Sequence, residues 1–477
     1  MFSSLRNFLF QNTSARQTIA KNTFWLFSGQ MIGRLLRAGL VVAAARMLGP
    51  ESWGAFSYVI GLGTFLLIFS DLGMSAIVTR EASRDITKSE AYFSTALVLK
   101  LIITSIAIIA LLGGARYLTA IPEAQTLLPF IVFILIFDGM RNFGFAIGRA
   151  LQKMEWEGIN EIITNIAIAG FGFYFLYTNP SSERLILAYI IGTAVGFGSI
   201  FFLLKNYFAR VLHTIDFSIA LPILKASLPF ALASFLGAIM INTDLIMLGW
   251  LRTPAELGFY AAAQKPVLVF YTVASLFATS LFPLLTKTVQ ENKEKFKNIL
   301  EGALAMSLMI ALPLAIGGII VSNQLILLLF GAEYASSIPV FQILMLSLLI
   351  IFPSVIITNS LLAHNQERKF ITFSLLGALG NIFFNALLIP ILGIVGCALA
   401  TIFSQLITNM FIWRKMYAVT NFSLLPKLTK IVVATIIAMS IVWVLNALTM
   451  NVFAVISIGI ISYGALLLLM KEKFIEI

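Results

Sequence analysis

Charged, histidine and cysteine residues are all scarce in this sequence. Asp, Glu, Lys and Arg together make up only 11% of the 477 residues, and the chain has two histidines and one cysteine. Cys397 therefore has no partner for an internal disulfide, and His213 and His364 lie far apart in predicted loops, so no histidine-based metal or catalytic cluster is evident. A glycine-rich phosphate-binding loop with its lysine is also missing, which argues against direct use of ATP.

Long apolar runs dominate the chain instead. Hydrophobic residues make up 60% of it, and runs of about twenty, the length that crosses a bilayer as a helix, recur from end to end. Lipid-facing barrel strands would be shorter and would alternate. The sequence predicts an all-α integral membrane protein with about fourteen transmembrane helices. Spans 1 to 14 are predicted near 22–47, 53–78, 91–112, 121–141, 158–178, 184–205, 225–250, 258–285, 297–321, 336–361, 370–389, 393–414, 428–447 and 451–470.

The basic residues follow this topology, since cytoplasmic loops should carry most of them. Of the 32 lysines and arginines, 24 fall on the side that holds the N-terminus, including Arg141 at the end of span 4, while four fall on the other side and four within spans. This asymmetry predicts a protein of the cytoplasmic (inner) membrane with both termini in the cytoplasm. The net charge of +11 then reflects loops that face anionic lipid, and no basic face for nucleic acid is evident.

An internal repeat relates the two halves of the chain. A shift of 204 residues aligns "LGPESWGAFSY" (48–58) with "RTPAELGFYAA" (252–262) and moves span 1 onto span 7, in the same direction. A parallel repeat predicts two six-helix lobes with a substrate site between them near mid-depth. The predicted domains are 1–212 with spans 1–6, 213–417 with spans 7–12, and 418–477 with spans 13 and 14. The aligned pairs include Pro50 with Pro254, Gly54 with Gly258, Lys21 with Lys225, and Gly33 with Gly237.

Three stretches carry a resemblance to a known family. The motifs are "ARMLGPESWGAFSY", "DLGMSAIVTREASRD" (71–85) and "DLIMLGWLRTPAELGFYAAAQKP" (244–266). In order and spacing the chain resembles the polysaccharide transporter family of oligosaccharide flippases, whose superfamily includes multidrug and toxin extruders and lipid II flippases. The resemblance implies two lobes around a cavity that opens alternately to the two sides. It also implies an oligosaccharide carried on a polyprenyl diphosphate, moved from the cytoplasmic to the outer leaflet.

Arg34 and Arg37 lie inside span 1, where each opposes insertion by roughly 2.5 to 3.5 kcal/mol. At a rise of about 1.5 Å per residue they are some 21 and 16 Å below the outer end of the helix. Guanidinium groups bind phosphate oxygens in pairs and keep their proton, so a substrate diphosphate would compensate the cost. The alternative is that a carboxylate, a carbonyl or a lipid phosphate pairs with them. The repeat places Ala238 and Ile241 at the matching positions, so the shared fold does not require the arginines.

A second set of polar residues lies on spans 7 and 8. Asp244 and Lys265 are predicted about 9 to 10 Å inside the outer edge on one hairpin, where they could form a structural ion pair. In the functional alternative Lys265 reaches the diphosphate or a sugar acid, while Asp244 and Asn242 bind a proton or Na⁺, because a carboxylate in a low dielectric gains proton affinity. Beyond such a coupling ion, no metal and no cofactor are expected.

Three further charges lie nearer the cytoplasmic side or mid-span. Lys100 lies within span 3 and is a further candidate for the substrate cavity. Asp71 and Asp138 lie near the cytoplasmic ends of spans 2 and 4, where we expect them to cap helices or to pair with loop residues.

Three functions compete at this point. The first is a flippase for a lipid-linked glycan, whose partners would be that glycan, membrane lipids and other polysaccharide-assembly membrane proteins. The second is a cation-coupled exporter of drugs or toxins on the same fold. The third is a membrane glycosyltransferase, polymerase or ligase of the same pathway, but no connector is long enough for the catalytic loop such enzymes generally need. Four cations within spans, against Asp244 as the one acid well inside a span, favour an anionic substrate and hence the flippase, which is a transporter and not an enzyme.

Overall fold

The computed structural model describes residues 9–364 and 366–470 and is built from α-helices joined by short turns. The long helices are α1 (Ala15–Asp71), α3 (Ser89–Leu118), α5 (Ile131–Ala150), α6 (Glu155–Thr178), α7 (Ser182–Leu203), α9 (Ala220–Leu251), α10 (Pro254–Glu291), α11 (Lys293–Phe330), α14 (Glu367–Val419), α15 (Leu425–Ala447) and α16 (Val452–Leu469). The shorter ones are α2 (Met74–Arg84), α4 (Pro122–Leu127), α8 (Lys205–Thr214), α12 (Ser337–Leu346) and α13 (Leu348–Ala363).

Twelve helical segments of the described chain are long and apolar enough to cross a membrane. Two of them are double. α1 has 57 residues, about 85 Å at the α-helical rise, and α14 has 53. Each is broken at a glycine with positive φ, Gly49 (φ 74°) in α1 and Gly393 (φ 61°) in α14, so each holds two spans. Counted in this way the fourteen predicted spans are all present, and the predicted all-α membrane fold is confirmed.

The chain divides into two compact units after Gly258. In the first unit the first arm of α1, residues 15–48, packs along α6, and α7 packs against both α5 and α6. A cluster of buried apolar side chains joins α2, α3 and α5 in this unit and includes Met74, Val78, Phe93, Phe143 and Ala146. This division does not test the predicted domains 1–212, 213–417 and 418–477, which stay predictions.

In the second unit α11 lies at the centre. It packs against α12, α13 and α15, while α14 packs against α12 and α13. One apolar cluster joins α10, α11, α13 and α14, and another joins α11 to α15 and α16. Large side chains of α15 and α16, such as Trp443 and Leu469, remain exposed, as expected for surfaces that face lipid.

Two motifs paired by the repeat touch each other in the first unit. A Cβ on Gly54 would lie 1.9 Å from the carbonyl oxygen of Pro254, and a Cβ on Gly258 would lie 2.0 Å from that of Pro50. The two contacts are reciprocal, and each requires a glycine because backbone approaches backbone directly. The glycines that the sequence aligned are therefore the points at which the starts of α10 and of the second arm of α1 cross.

Two aspartates outside the membrane segments mark the starts of spans 3 and 7. Asp85 accepts hydrogen bonds from the hydroxyl and the backbone N–H of Thr87. Asp216 likewise accepts hydrogen bonds from the hydroxyl and the backbone N–H of Ser218. These hydrogen bonds favour the charged carboxylate and hold the pKa of both aspartates below the usual range. Local caps of this kind are readable from the Asp-x-Thr/Ser spacing.

Candidate functional site

Arg37 projects from the first arm of α1 and is held by two side chains of neighbouring helices. Its Nε donates a hydrogen bond to Oδ1 of Asn165 on α6 (3.0 Å), and its guanidinium carbon lies 5.7 Å from the ring centre of Tyr189 on α7. The side chain of Arg37 nevertheless stays exposed. It lines a small cavity of about 70 Å³ whose wall also includes Thr64 and Asp138. Arg37 is thus oriented but not enclosed.

A second arginine, Arg141 on α5, is buried next to this cavity and is fully engaged. Its guanidinium lies 2.6 Å from Oδ1 of Asp138 and 3.2 Å from Oε1 of Glu161, and Nη1 also donates to Asn160 and Thr164. Only 4% of Arg141 is exposed. Hydrogen bonds and two opposite charges of this kind are what make a buried cation tolerable. Arg141 is therefore unsuited to bind a ligand.

The two groups of residues form one connected network. Asn165 Nδ2 donates to the carbonyl oxygen of Glu161 (2.8 Å) and to its Oε2 (3.2 Å), so a chain of contacts runs from Arg37 through Asn165 and Glu161 to Arg141. Asp138, Glu161 and Arg141 together carry one net negative charge, which balances the charge of Arg37. The carboxylate of Glu161 is linked to Arg37 through Asn165 and makes no direct hydrogen bond to Arg37. The cost of placing Arg37 within an apolar helix is reduced while its guanidinium remains accessible.

The sequence alone does not predict this network. The distribution of basic residues predicts Arg141 among the cytoplasmic loop residues, whereas the structure places it inside α5, where it is buried. Arg141, Asp138 and Glu161 also add one cation and two acids to the tally of charges within the membrane helices. The sequence does contain one sign of a polar network. Four polar residues at helical spacing share one face of α6, namely Asn160, Glu161, Thr164 and Asn165.

The other predicted substrate cations lie in different surroundings. Arg34 lies one turn before Arg37 on the same arm of α1 and is exposed. Lys100 is 1% exposed, and its Nζ lies 3.0 Å from Oδ1 of Asp71 and 5.8 Å from the ring centre of Phe143. Asp71 and Asp138 thus pair with cations of the helices. Lys100 is thus enclosed in an ion pair, whereas Arg37 is oriented by Asn165 and exposed. The substrate roles of Arg34, Arg37, Lys100 and Lys265 stay predictions.

Asp244 and Asn242, the predicted coupling-ion residues, are buried in α9. Asp244 is 2% exposed and Asn242 is 7% exposed, and Asn242 Nδ2 donates to the carbonyl oxygen of Ala238 in its own helix. Lys265 is half-buried on α10 in the second unit. The described part of the chain holds no group of three or more His, Cys, Asp or Glu residues that could bind a metal ion.

A larger cavity of about 350 Å³ lies away from these charges, between residues 120–122 and 249–256. Trp250 in its wall donates its indole N–H to the carbonyl oxygen of Leu118 (2.6 Å), and Glu256 caps the start of α10 by accepting from Thr253. Its polar groups are engaged in local structure, so we place the candidate site at Arg37.

Several known proteins similar to this chain are named as flippases, transporters or polysaccharide biosynthesis proteins. The chain is 24% identical to "Probable low-salt glycan biosynthesis flippase Agl15" of Haloferax volcanii, over 81% of each chain. It is 22% identical to "Capsular polysaccharide biosynthesis protein CapF" of Staphylococcus aureus, over 84% of this chain and 100% of that one. It is also 25% identical to a "Putative O-antigen transporter" of Shigella flexneri, over 66% of this chain and 78% of that one.

Solved structures show the same fold. "Lipid II flippase MurJ, inward closed conformation" superposes with a TM-score of 0.79 at 19% identity, over 93% of this chain and 97% of that one. An inward-facing multidrug resistance MATE family transporter of the MOP superfamily follows with a TM-score of 0.66 at 16% identity, over 83% and 98%. Residues 19–289, more than half of the chain, match the family described as "Polysaccharide biosynthesis protein". The chain therefore belongs to the polysaccharide biosynthesis protein family.

Proposed function

We propose that this protein is a flippase that moves a polyprenyl-diphosphate-linked oligosaccharide from the cytoplasmic to the outer leaflet during synthesis of a cell-surface polysaccharide. Membership of the family and the flippase and transporter names of its relatives support the proposal. The structural observation that supports the proposal concerns Arg37. It is a cation within an apolar helix, and its guanidinium is oriented by Asn165 yet remains exposed.

A diphosphate fits this setting for physical reasons. The guanidinium group presents five N–H donors in a rigid plane, and the Nε donor of Arg37 is engaged by Asn165. Within the described residues, its two terminal nitrogens make no hydrogen bond. Paired N–H donors match paired phosphate oxygens, and a charge-assisted hydrogen bond is about twice as strong as a neutral one. Arg34, one turn before Arg37, would add a second cation on the same helix face.

The competing functions have less support. The likeness to multidrug transporters rests on MATE structures that are 15–17% identical to this chain and shows the fold alone. The relatives that match most of the chain by sequence are named for glycan flipping, capsular polysaccharide synthesis or O-antigen transport. An exporter of cationic drugs would also gain nothing from the exposed arginines of α1, which repel its substrates.

The remaining features of the proposal concern location and energy. We place the protein in the cytoplasmic (inner) membrane with both termini in the cytoplasm, because the basic residues concentrate on that side. Asp244 and Asn242 would bind a coupling proton or Na⁺, and Lys265 would assist in binding the anionic substrate. Other membrane proteins of polysaccharide assembly would supply and consume the flipped glycan.

The experiment measures glycan display in cells whose own copy of the gene is deleted and replaced by variants. Arg34→Ala and Arg37→Ala, expressed at the wild-type level, should abolish display of the lipid-linked glycan at the outer surface. Arg37→Lys should restore it only in part, because an ammonium group cannot bind two oxygens in the plane of a guanidinium. Arg46→Ala is the matched control, since Arg46 is an exposed arginine of the same helix arm. Undiminished display in both alanine variants would refute the role of these arginines.

A further inference from the structure

The side chain that decides where the guanidinium of Arg37 points is Asn165. In a typical Asn the amide oxygen and nitrogen are hard to tell apart, but here the partners decide. Nδ2 faces two acceptors that cannot donate, the carbonyl oxygen of Glu161 (2.8 Å) and its Oε2 (3.2 Å). Oδ1 is left to accept from Nε of Arg37, which can only donate. One orientation of the amide satisfies every group.

The acceptor of the amide hydrogen bonds is itself held in place. Glu161, which receives both Nδ2 hydrogen bonds, is itself fixed by Arg141 (3.2 Å), and Asn165 is only 4% exposed. Asn165 is therefore a rigid acceptor, and its hydrogen bond to Nε leaves the four N–H groups of the terminal nitrogens of Arg37 for a ligand. A direct carboxylate partner would have neutralised the arginine instead.

Space for this amide comes from a glycine on α1. Gly33 lies one turn before Arg37, and a Cβ at that position would lie 2.6 Å from Nδ2 of Asn165. An alanine at position 33 would therefore force the amide of Asn165 out of the position in which these hydrogen bonds hold it. Gly237 is the residue that the internal repeat aligns with Gly33, and among the described residues no atom lies within 4 Å of a Cβ placed on Gly237. The two equivalent glycines thus differ in this one respect.

We infer that Asn165, in the space left by Gly33, is a positioning residue for diphosphate binding: it holds Arg37 with its terminal nitrogens presented to the diphosphate of the substrate. This inference rests on the proposed function, because it presupposes that the arginine binds an anionic lipid-linked substrate. Asn165 acts through Arg37 and does not itself contact the ligand.

The test measures binding of farnesyl diphosphate, a short polyprenyl diphosphate, to the purified full-length protein, with farnesol as the uncharged control. Asn165→Leu should raise the dissociation constant for farnesyl diphosphate about tenfold, the usual effect of losing one hydrogen bond to a charged group. Binding of farnesol should not change. In an Arg37→Ala background the same substitution should have no further effect, because the residue through which it acts is gone.

The glycine pair gives a second test that keeps every polar group. Gly33→Ala should weaken farnesyl diphosphate binding, as Asn165→Leu does. Gly237→Ala should stay within about twofold of the wild type, since no atom of the described residues lies within 4 Å of a Cβ at that position. Melting temperatures measured in parallel identify any variant that has lost its fold. A misfolded Asn165→Leu protein leaves the glycine pair as the deciding comparison.

Two results would overturn the inference. One is unchanged farnesyl diphosphate binding in both Asn165→Leu and Gly33→Ala when Arg37→Ala binds weakly. The other is an equal loss of binding from Asn165→Leu with and without Arg37, which would show that Asn165 acts independently of the arginine. Both leave the proposed function standing. Failure of the proposed function would appear elsewhere, as a wild-type protein that binds farnesyl diphosphate yet does not transfer lipid-linked glycan between leaflets.

Discussion

The buried ion pair between Lys21 and Glu155 makes the strongest prediction about stability. Nζ of Lys21 lies 2.8 Å from Oε2 of Glu155 and donates a second hydrogen bond to the carbonyl oxygen of Gln152 (3.2 Å). The side chain of Lys21 is fully buried and that of Glu155 is 7% exposed. The pair joins the start of α1 to the first turn of α6, so both helices depend on it.

Lys21→Met removes the cation and leaves the carboxylate of Glu155 buried without its partner. Breaking a buried pair on one side typically costs about 3 to 5 kcal/mol. Glu155 is the first residue of α6, where the positive end of the helix dipole offsets up to about 1 kcal/mol of that cost. We therefore expect a loss of about 3 kcal/mol, which corresponds to a melting temperature lower by about 6 to 12 °C for a unit of this size. The assay is thermal unfolding of the purified protein in detergent.

Lys225→Met is the matched control, because the repeat aligns Lys225 with Lys21 and Lys225 is exposed. It should change stability by no more than about 0.5 kcal/mol. The double variant Lys21→Met/Glu155→Met should recover most of the loss, since a buried pair replaced as a whole by apolar side chains is often neutral. The reasoning is refuted if Lys21→Met melts within a degree of Lys225→Met.

Two further predictions concern the crossing of the repeated motifs and the coupling ion. Gly54→Ala should lower the melting temperature through about 1 to 3 kcal/mol of overpacking, because its Cβ would lie 1.9 Å from the carbonyl oxygen of Pro254. Gly113→Ala, which has open space around it, should be neutral or slightly stabilising, and equal melting of the two variants would contradict the close crossing. Asp244→Asn should make flipping in proteoliposomes insensitive to imposed pH and Na⁺ gradients. Wild-type flipping that already ignores both gradients would remove Asp244 as an ion site.

The number and position of the spans were predictable from the sequence, because a transmembrane helix is defined by a local property, the length of an apolar run. Even the breaks that divide α1 and α14 have local signals, a glycine followed by proline at Gly49 and a proline before Gly393. The family resemblance could be recognised for a related reason, since each of its motifs is a continuous stretch of chain at the end of a span or across the junction of two spans. Arg34 and Arg37 stood out because charge is rare in such runs.

The partners of those charges could not be predicted in the same way. Arg37 meets Asn165 across 128 residues of chain, and Lys21 meets Glu155 across 134. Helical spacing shows which residues of α6 share a face. Which helix packs against that face depends on the packing of the whole unit. For the same reason Arg141, near the end of a predicted span, was assigned to a loop when it is in fact buried.

Composition and local order along the chain were enough to define the membrane-spanning helices, the family and the rarity of the arginines in α1. The repeat aligns pairs of identical residues, but in two of these pairs only one member makes the structural contact described above. Packing between helices decides which member it is. Lys21 is buried in an ion pair while Lys225 is exposed. Gly33 makes room for Asn165, while a Cβ on Gly237 has no neighbour within 4 Å in the described part of the chain. The physical reason is that a repeat preserves helix positions, whereas burial and hydrogen bonding depend on the neighbouring helix, which differs between the two positions.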